Sequence, residues 1–164
     1  LVEEVLVQHP EMARLYPGSV NSLRVVTYRD PDDVVHVLAA VLKVGNGGVI
    51  DNFSNGGMYT MLDDAGRALH AASDEEGRPF ETHPITGVPI TGYQVPLYPQ
   101  VLELVDRLAR RVPEMPYIGW DIAITPERPV VIEGNHNTGV FQSKPSVSGI
   151  RRGLLPRYRA AMRF

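Results

Sequence analysis

The stretch from Tyr117 to Asn135, YIGWDIAITPERPVVIEGN, constrains this chain more than any other. Two runs of β-branched and aromatic residues flank Thr125-Pro126-Glu127-Arg128-Pro129, a turn-forming group, so the stretch reads as strand, turn, strand. Pairing about Glu127 sets Ile124 opposite Val130, Ile122 opposite Ile132 and Trp120 opposite Gly134, on one apolar face. Side chains alternate along a strand, so the other face receives Asp121 directly across from Glu133, with Asn135 following. Carboxylates in that relation repel at the roughly 4.5–5.5 Å separating cross-strand neighbours. A shared proton or an arginine would offset the repulsion. The nearby carboxamide oxygen adds a third hard donor, which suits magnesium, a cation that keeps further positions for water and phosphate. A solvated hairpin face with a tolerated charge pair is the alternative. His136, beside oxygen ligands, reads as a surface residue rather than a zinc ligand.

A second hairpin lies upstream. Leu23–Tyr28 and Val34–Val44 are Val-rich and enclose Arg29-Asp30-Pro31-Asp32-Asp33. A symmetric hairpin about Pro31 puts Lys43 on the face opposite Arg24, and a bulge or a one-residue shift reverses that. Apolar residues at 101, 104, 105, 108 and 112 follow helical spacing. Leu1–Val7 suits a short strand, His9-Pro10-Glu11 opens a helix, and a basic helix closes the chain. Residues 45–58 form a glycine-rich loop, and 73–96 carry little regular structure. Paired strands with a few helices point to an α+β fold, an antiparallel sheet flanked by helices, in a single domain over 1–164.

Composition removes several classes of function. The 164 residues contain no cysteine, which excludes disulfides, thiolate zinc sites and a cysteine nucleophile. Sixteen Lys and Arg against nineteen Asp and Glu give a net charge of −3, which argues against a globally basic nucleic-acid binder. No apolar run approaches the roughly 20 residues of a membrane span. No signal-peptide pattern appears, so the expected setting is cytoplasmic, and a start at Leu1 reads as a piece of a longer protein.

Five strings in order, VNSLRVVTY, DNFSNGG, HPITG, GWDIAIT and IEGN, resemble the sugar-transfer-associated ATP-grasp family, in its C-terminal part. The likeness runs from about Leu1 to Gln142. It implies an ATP-dependent ligase that activates a carboxylate as an acyl phosphate for attack by an amine or similar nucleophile, in extracellular or capsular polysaccharide metabolism. A phosphotransferase, or a non-catalytic glycan- or partner-binding module on the same fold, are the alternatives. Tyr93, Tyr98, Tyr117 and Trp120 would supply such a module's stacking surfaces, and the arginines of the closing helix a docking patch for an acidic partner.

By motif position, the resemblance implies that Asp121, Glu133 and Asn135 ligate one or two magnesium ions, with manganese as a substitute. Arg24 would face the transferring phosphate and Lys43 would stand where relatives carry a phosphate-directed arginine. Asn52, Gly56 and Gly57 would lie near phosphate and substrate. Glu3 and Glu4 would end the hinge that contacts adenine. His83 would orient a substrate or, as we favour, serve the structure. The resemblance also implies a nucleotide-gripping N-terminal subdomain upstream of Leu1, without which this part is not a competent enzyme. The expected partners are that subdomain and a small-molecule or glycan-linked carboxylate, with no nucleic acid and no membrane span.

Overall fold

The computed structural model describes residues 5–48, 56–139 and 153–163. Its centre is a seven-stranded antiparallel sheet in the order β5-β4-β3-β2-β1-β6-β7. The strands are β1 (Ser22–Arg29), β2 (Val35–Val44), β3 (Met58–Met61), β4 (Ala72–Ser73), β5 (Pro79–Phe80), β6 (Tyr117–Ile124) and β7 (Pro129–Asn135). Three helices accompany them: α1 (Pro10–Leu15), α2 (Tyr98–Ala109) and α3 (Leu155–Met162). The α+β class and the antiparallel sheet are therefore as expected. Among the described residues, no helix is long and apolar enough to cross a membrane.

Alternation gives the sheet two unlike faces. On one, Leu23 and Val25 meet Leu42 and Ala40 of β2 and Ile122 and Trp120 of β6. Met12 and Leu15 of α1 and Val101 and Val105 of α2 close this main core, as the helical spacing required. Trp120 satisfies its indole by donating to Thr27 Oγ1 at 2.9 Å inside it. The other face is apolar only at one end, where Val26, Val41, Tyr59 and Met61 pack under Ala161 of α3. Its opposite end is polar and holds the residues of interest.

Helix α1 begins as the sequence indicated, with Pro10 in its first turn and His9 Nδ1 accepting from the Glu11 N–H at 3.1 Å. Asn21 then ties α1 to the sheet. Fully buried, it donates to the Met12 and Tyr16 carbonyls at 2.8 Å each and accepts from the Gly45 N–H at 3.1 Å.

Three expectations are corrected. Residues 5–7 of the supposed first strand have no regular structure, and the His9 N–H instead donates to the Ile124 carbonyl at 2.7 Å. The β6–β7 loop is Thr125–Arg128, because Thr125 closes it on the Arg128 carbonyl, so Ile124 pairs with Pro129. Ile122 then pairs with Val131, and the extra residue, Ile132, bulges out 53% exposed instead of joining the apolar face. Four-residue β3, fully buried, shows no alternation and was not foreseen. Residues 73–96 are otherwise the run of turns expected, with two-residue strands β4 and β5 at their start.

Candidate functional site

The bulge at Ile132 restores the register where it matters. Asp121 pairs with Glu133, Trp120 with Gly134 and Gly119 with Asn135. The opposed carboxylates read from the sequence are thus present, although loop and bulge each differ by one residue from the symmetric hairpin. Asn135 shares their face, and its Nδ2 donates to Glu133 Oε1 at 2.9 Å.

A second bulge brings cations to the same place. Arg29 pairs with Val35 and Thr27 with Val37, but Val26 pairs with Ala39, so Leu38 is the extra residue of β2. Beyond it Arg24 faces Val41 and Ser22 faces Lys43, which places Lys43 on the Arg24 face. The pairing about Pro31 does not hold, because the turn centres on Asp32, and the insertion overturns the face that pairing gave Lys43. On the other flank, Arg24 pairs directly with Asp121.

The three side chains form an ion cluster. Arg24 Nε donates to Asp121 Oδ1, and Arg24 Nη2 to Oδ2 at 2.8 Å, the bidentate geometry a guanidinium offers a carboxylate. Lys43 Nζ donates to the same Oδ2 at 3.3 Å. Both Asp121 and Lys43 are buried, at 4% and 8% exposure, so these charges are held largely out of water. Burial pushes the Asp121 carboxyl up. The hydrogen bond from Arg24 and the charges of Lys43 and Arg24 outweigh it and hold the group below its ordinary 3.8. The charge Asp121 carries is therefore balanced from β1 and β2, and the expected repulsion from Glu133 is not what governs it.

One residue of this cluster escaped the sequence reading. Thr138, buried three positions past Asn135, accepts from Arg24 Nη1 at 3.0 Å through Oγ1. It lies beyond the last strand, where alternation no longer assigns a face, so no periodic signal marks it.

The donor set can be weighed against a divalent cation. Asp121, Glu133 and Asn135 present oxygen only, the hard donors that magnesium takes. The Asn135 amide is oriented by Glu133, so its oxygen is turned away from that carboxylate. The residues fit such an ion on two conditions, that Asp121 shares its oxygens with Arg24 and Lys43 and that the Asn135 amide turns over to bring its oxygen beside Glu133. Among the described residues no group of three or more His, Asp or Glu is close enough to hold a metal. The third donor here is a carboxamide, outside that set.

The other nominated residues fall as follows. Gly56 and Gly57 lead into β3, and Gly56 sits at φ +84°, a conformation that favours glycine. Glu3, Glu4 and Asn52 lie outside the described residues. His83 is structural, as favoured. Its Nδ1 accepts from the N–H groups of Ile85 and Thr86, which leaves Nε2 to donate to the Gly45 carbonyl at 2.8 Å, and the ring stacks on Tyr16. His136 is exposed. Tyr98 and Trp120, at 2% and 6% exposure, belong to the core and offer no stacking surface. Arg157 pairs with Asp64 and Arg163 with Asp32, so these arginines of the closing helix serve its docking to this chain.

A model of the sugar-transfer associated ATP-grasp family matches residues 1–155. Searches of the curated proteins and of the solved structures gave no match.

Proposed function

The chain belongs to the sugar-transfer associated ATP-grasp family, and we propose that it carries the metal- and phosphate-facing part of an ATP-dependent ligase. In this reading a substrate carboxylate oxygen attacks the γ-phosphorus of ATP, the bond to the leaving ADP breaks, and an acyl phosphate forms. An amine or similar nucleophile then attacks the acyl carbon, losing its proton as phosphate departs. The family's association with sugar transfer points to extracellular or capsular polysaccharide metabolism as the setting.

The observation that carries the proposal is the convergence of Arg24, Lys43, Asp121, Glu133 and Asn135 on the polar end of one sheet face. Phosphoryl transfer asks little covalent chemistry of a protein but needs positioned positive charge. Arg24 supplies a planar fork for phosphate oxygens, and Lys43 a point charge beside it. Asp121, Glu133 and Asn135 would hold magnesium, which when bound supplies charge neutralisation between the phosphates. Two cations and two carboxylates leave the cluster formally neutral when empty. Such a cluster favours a divalent cation arriving together with polyphosphate over a bare ion or a bare anion. The adenine-facing hinge and the partner subdomain expected upstream complete the proposal.

The test is thermal unfolding with and without about 5 mM Mg-ATP, repeated for Glu133→Gln. Binding with a dissociation constant near 1 mM gives about 1 kcal/mol, or roughly 2–4 °C. A rise that requires magnesium and is lost in the variant supports the reading. A rise that is indifferent to magnesium, or equal in both proteins, overturns the metal assignment.

A further inference from the structure

Among the described residues Arg24 is held at three points, two on the Asp121 carboxylate and one on a neutral hydroxyl. Asp121 takes Nε and Nη2, the two nitrogens along one edge of the guanidinium. A bidentate grip on one edge still lets the planar group tilt about the line through those two nitrogens, which moves the far nitrogen most. Thr138 Oγ1 removes that freedom by accepting from Nη1 at 3.0 Å. We propose that Thr138 is a positioning residue for phosphate recognition, fixing the plane in which Arg24 meets a phosphate; this rests on the reading of Arg24 above.

The surroundings indicate that the contact is built rather than incidental. Thr138 is 6% exposed, so its hydroxyl has little access to water as an alternative partner. Room for it exists because residue 119 has no side chain. A Cβ at Gly119 would lie 2.2 Å from Thr138 Oγ1, 2.5 Å from Thr138 Cβ and 3.1 Å from Arg24 Cδ. Gly119 and Thr138 therefore form one device, in which the strand gives up a side chain so that a hydroxyl from beyond β7 can reach the arginine. The chemistry of the third acceptor also fits. A second carboxylate there would further neutralise Arg24, whereas a hydroxyl orients it without adding negative charge. A guanidinium already fixed in plane loses less freedom when it binds, which is where the gain in affinity arises.

Three variants test this. Thr138→Val keeps the shape and deletes the acceptor, Thr138→Ser restores the hydroxyl, and Thr138→Ala deletes it without crowding should valine disturb folding. The first readout is the nitrogen NMR spectrum of the Arg24 guanidinium. Nη1 and Nη2 should give separate signals in the parent and in Thr138→Ser, and merge through faster rotation in Thr138→Val and Thr138→Ala. The second is calorimetric titration with magnesium pyrophosphate, which should weaken about five- to tenfold in Val and Ala and stay within about twofold in Ser. Unchanged spectra or unchanged binding in both Val and Ala overturn the role of Thr138 while leaving the proposed function standing. A serine variant as impaired as valine also overturns it. A parent protein that shows a pinned Arg24 but binds no magnesium pyrophosphate overturns the phosphate reading itself, and the role of Thr138 with it.

Discussion

Arg24 and Asp121 stand directly opposite each other on β1 and β6, and two nitrogens of the one hold both oxygens of the other. Neighbouring strands thus solve at one position the problem that two facing carboxylates pose at the next pair. Asp121 looks outward to Glu133 on β7 and inward to Arg24 and Lys43, and the inward side sets its ionisation.

The two carboxylates should therefore respond unequally to neutralisation. Asp121→Asn leaves Arg24 and Lys43 buried beside a neutral amide, and removing one member of a buried ionic group costs about 3–5 kcal/mol. Its unfolding midpoint should fall by roughly 10 °C. Glu133 is exposed, so Glu133→Gln should stay within about 0.5 kcal/mol of the parent while losing the magnesium-dependent rise with ATP. Denaturant unfolding of the two variants side by side decides it. Equal stabilities would mean that the cluster does not depend on Asp121.

Adding one methyl group at Gly119 should disturb the site more than its size suggests. The new Cβ would fall 2.2 Å from Thr138 Oγ1, so Gly119→Ala must displace Thr138 from Arg24 or bend the strand. Overpacking of this kind costs about 1–3 kcal/mol. Pairing it with Thr138→Gly should recover part of that loss, giving a coupling of about 0.5 kcal/mol or more in a double-mutant cycle. Strict additivity would separate the two residues energetically.

A third test uses acid. Asp30 Oδ1 accepts the N–H groups of Asp32 and Val34 at 3.0 and 2.9 Å, and Oδ2 meets His36 Nε2 at 2.9 Å. The His36 hydrogen bond, followed by that of Val34, holds the carboxyl below 3.8. The folded state then binds this proton less readily than the unfolded chain. The stability Asp30 contributes is present above that value and is lost as pH falls through the folded value. Asp30→Asn should accordingly be less stable than the parent at neutral pH, and the gap should close as the pH is taken below 3.8 and on through the lowered folded value in an acid series of unfolding curves. Asp121, lowered as well, keeps a residual slope in the variant. A gap that is constant with pH would remove Asp30 from the account.

Much of the site was readable, and what was not has particular causes. The facing of Asp121 and Glu133 follows from alternation on either side of a turn, and it survives because a shorter loop and the Ile132 bulge compensate each other. The α2 face was equally plain, with Val101 and Val105 buried as spaced. Lys43 could not be assigned a face, since that depends on Leu38, an apolar residue within an apolar run, where an extra residue leaves no trace in composition. Thr138 was invisible because it approaches Arg24 from an irregular segment. Strand β3 was overlooked because burial on both faces erases the polar–apolar rhythm. Family likeness nominated Glu3, Glu4 and Asn52, which fall outside the described residues.

The Leu38 insertion makes β2 a strand written in two reading frames. Up to Val37 its residues are in phase with the turn, and from Ala39 onward in phase with the cations. Drawing that residue into the ladder opposite Val26 would exchange inside for outside along the second half. Leu42 and Val44 would be sent to the polar face and Lys43 into the packing beneath α2. Neither chemistry nor core tolerates the swap. An aliphatic side chain that touches no ligand thus governs which side of the sheet can carry charge, and comparing relatives for function means counting residues across this strand before matching their identities.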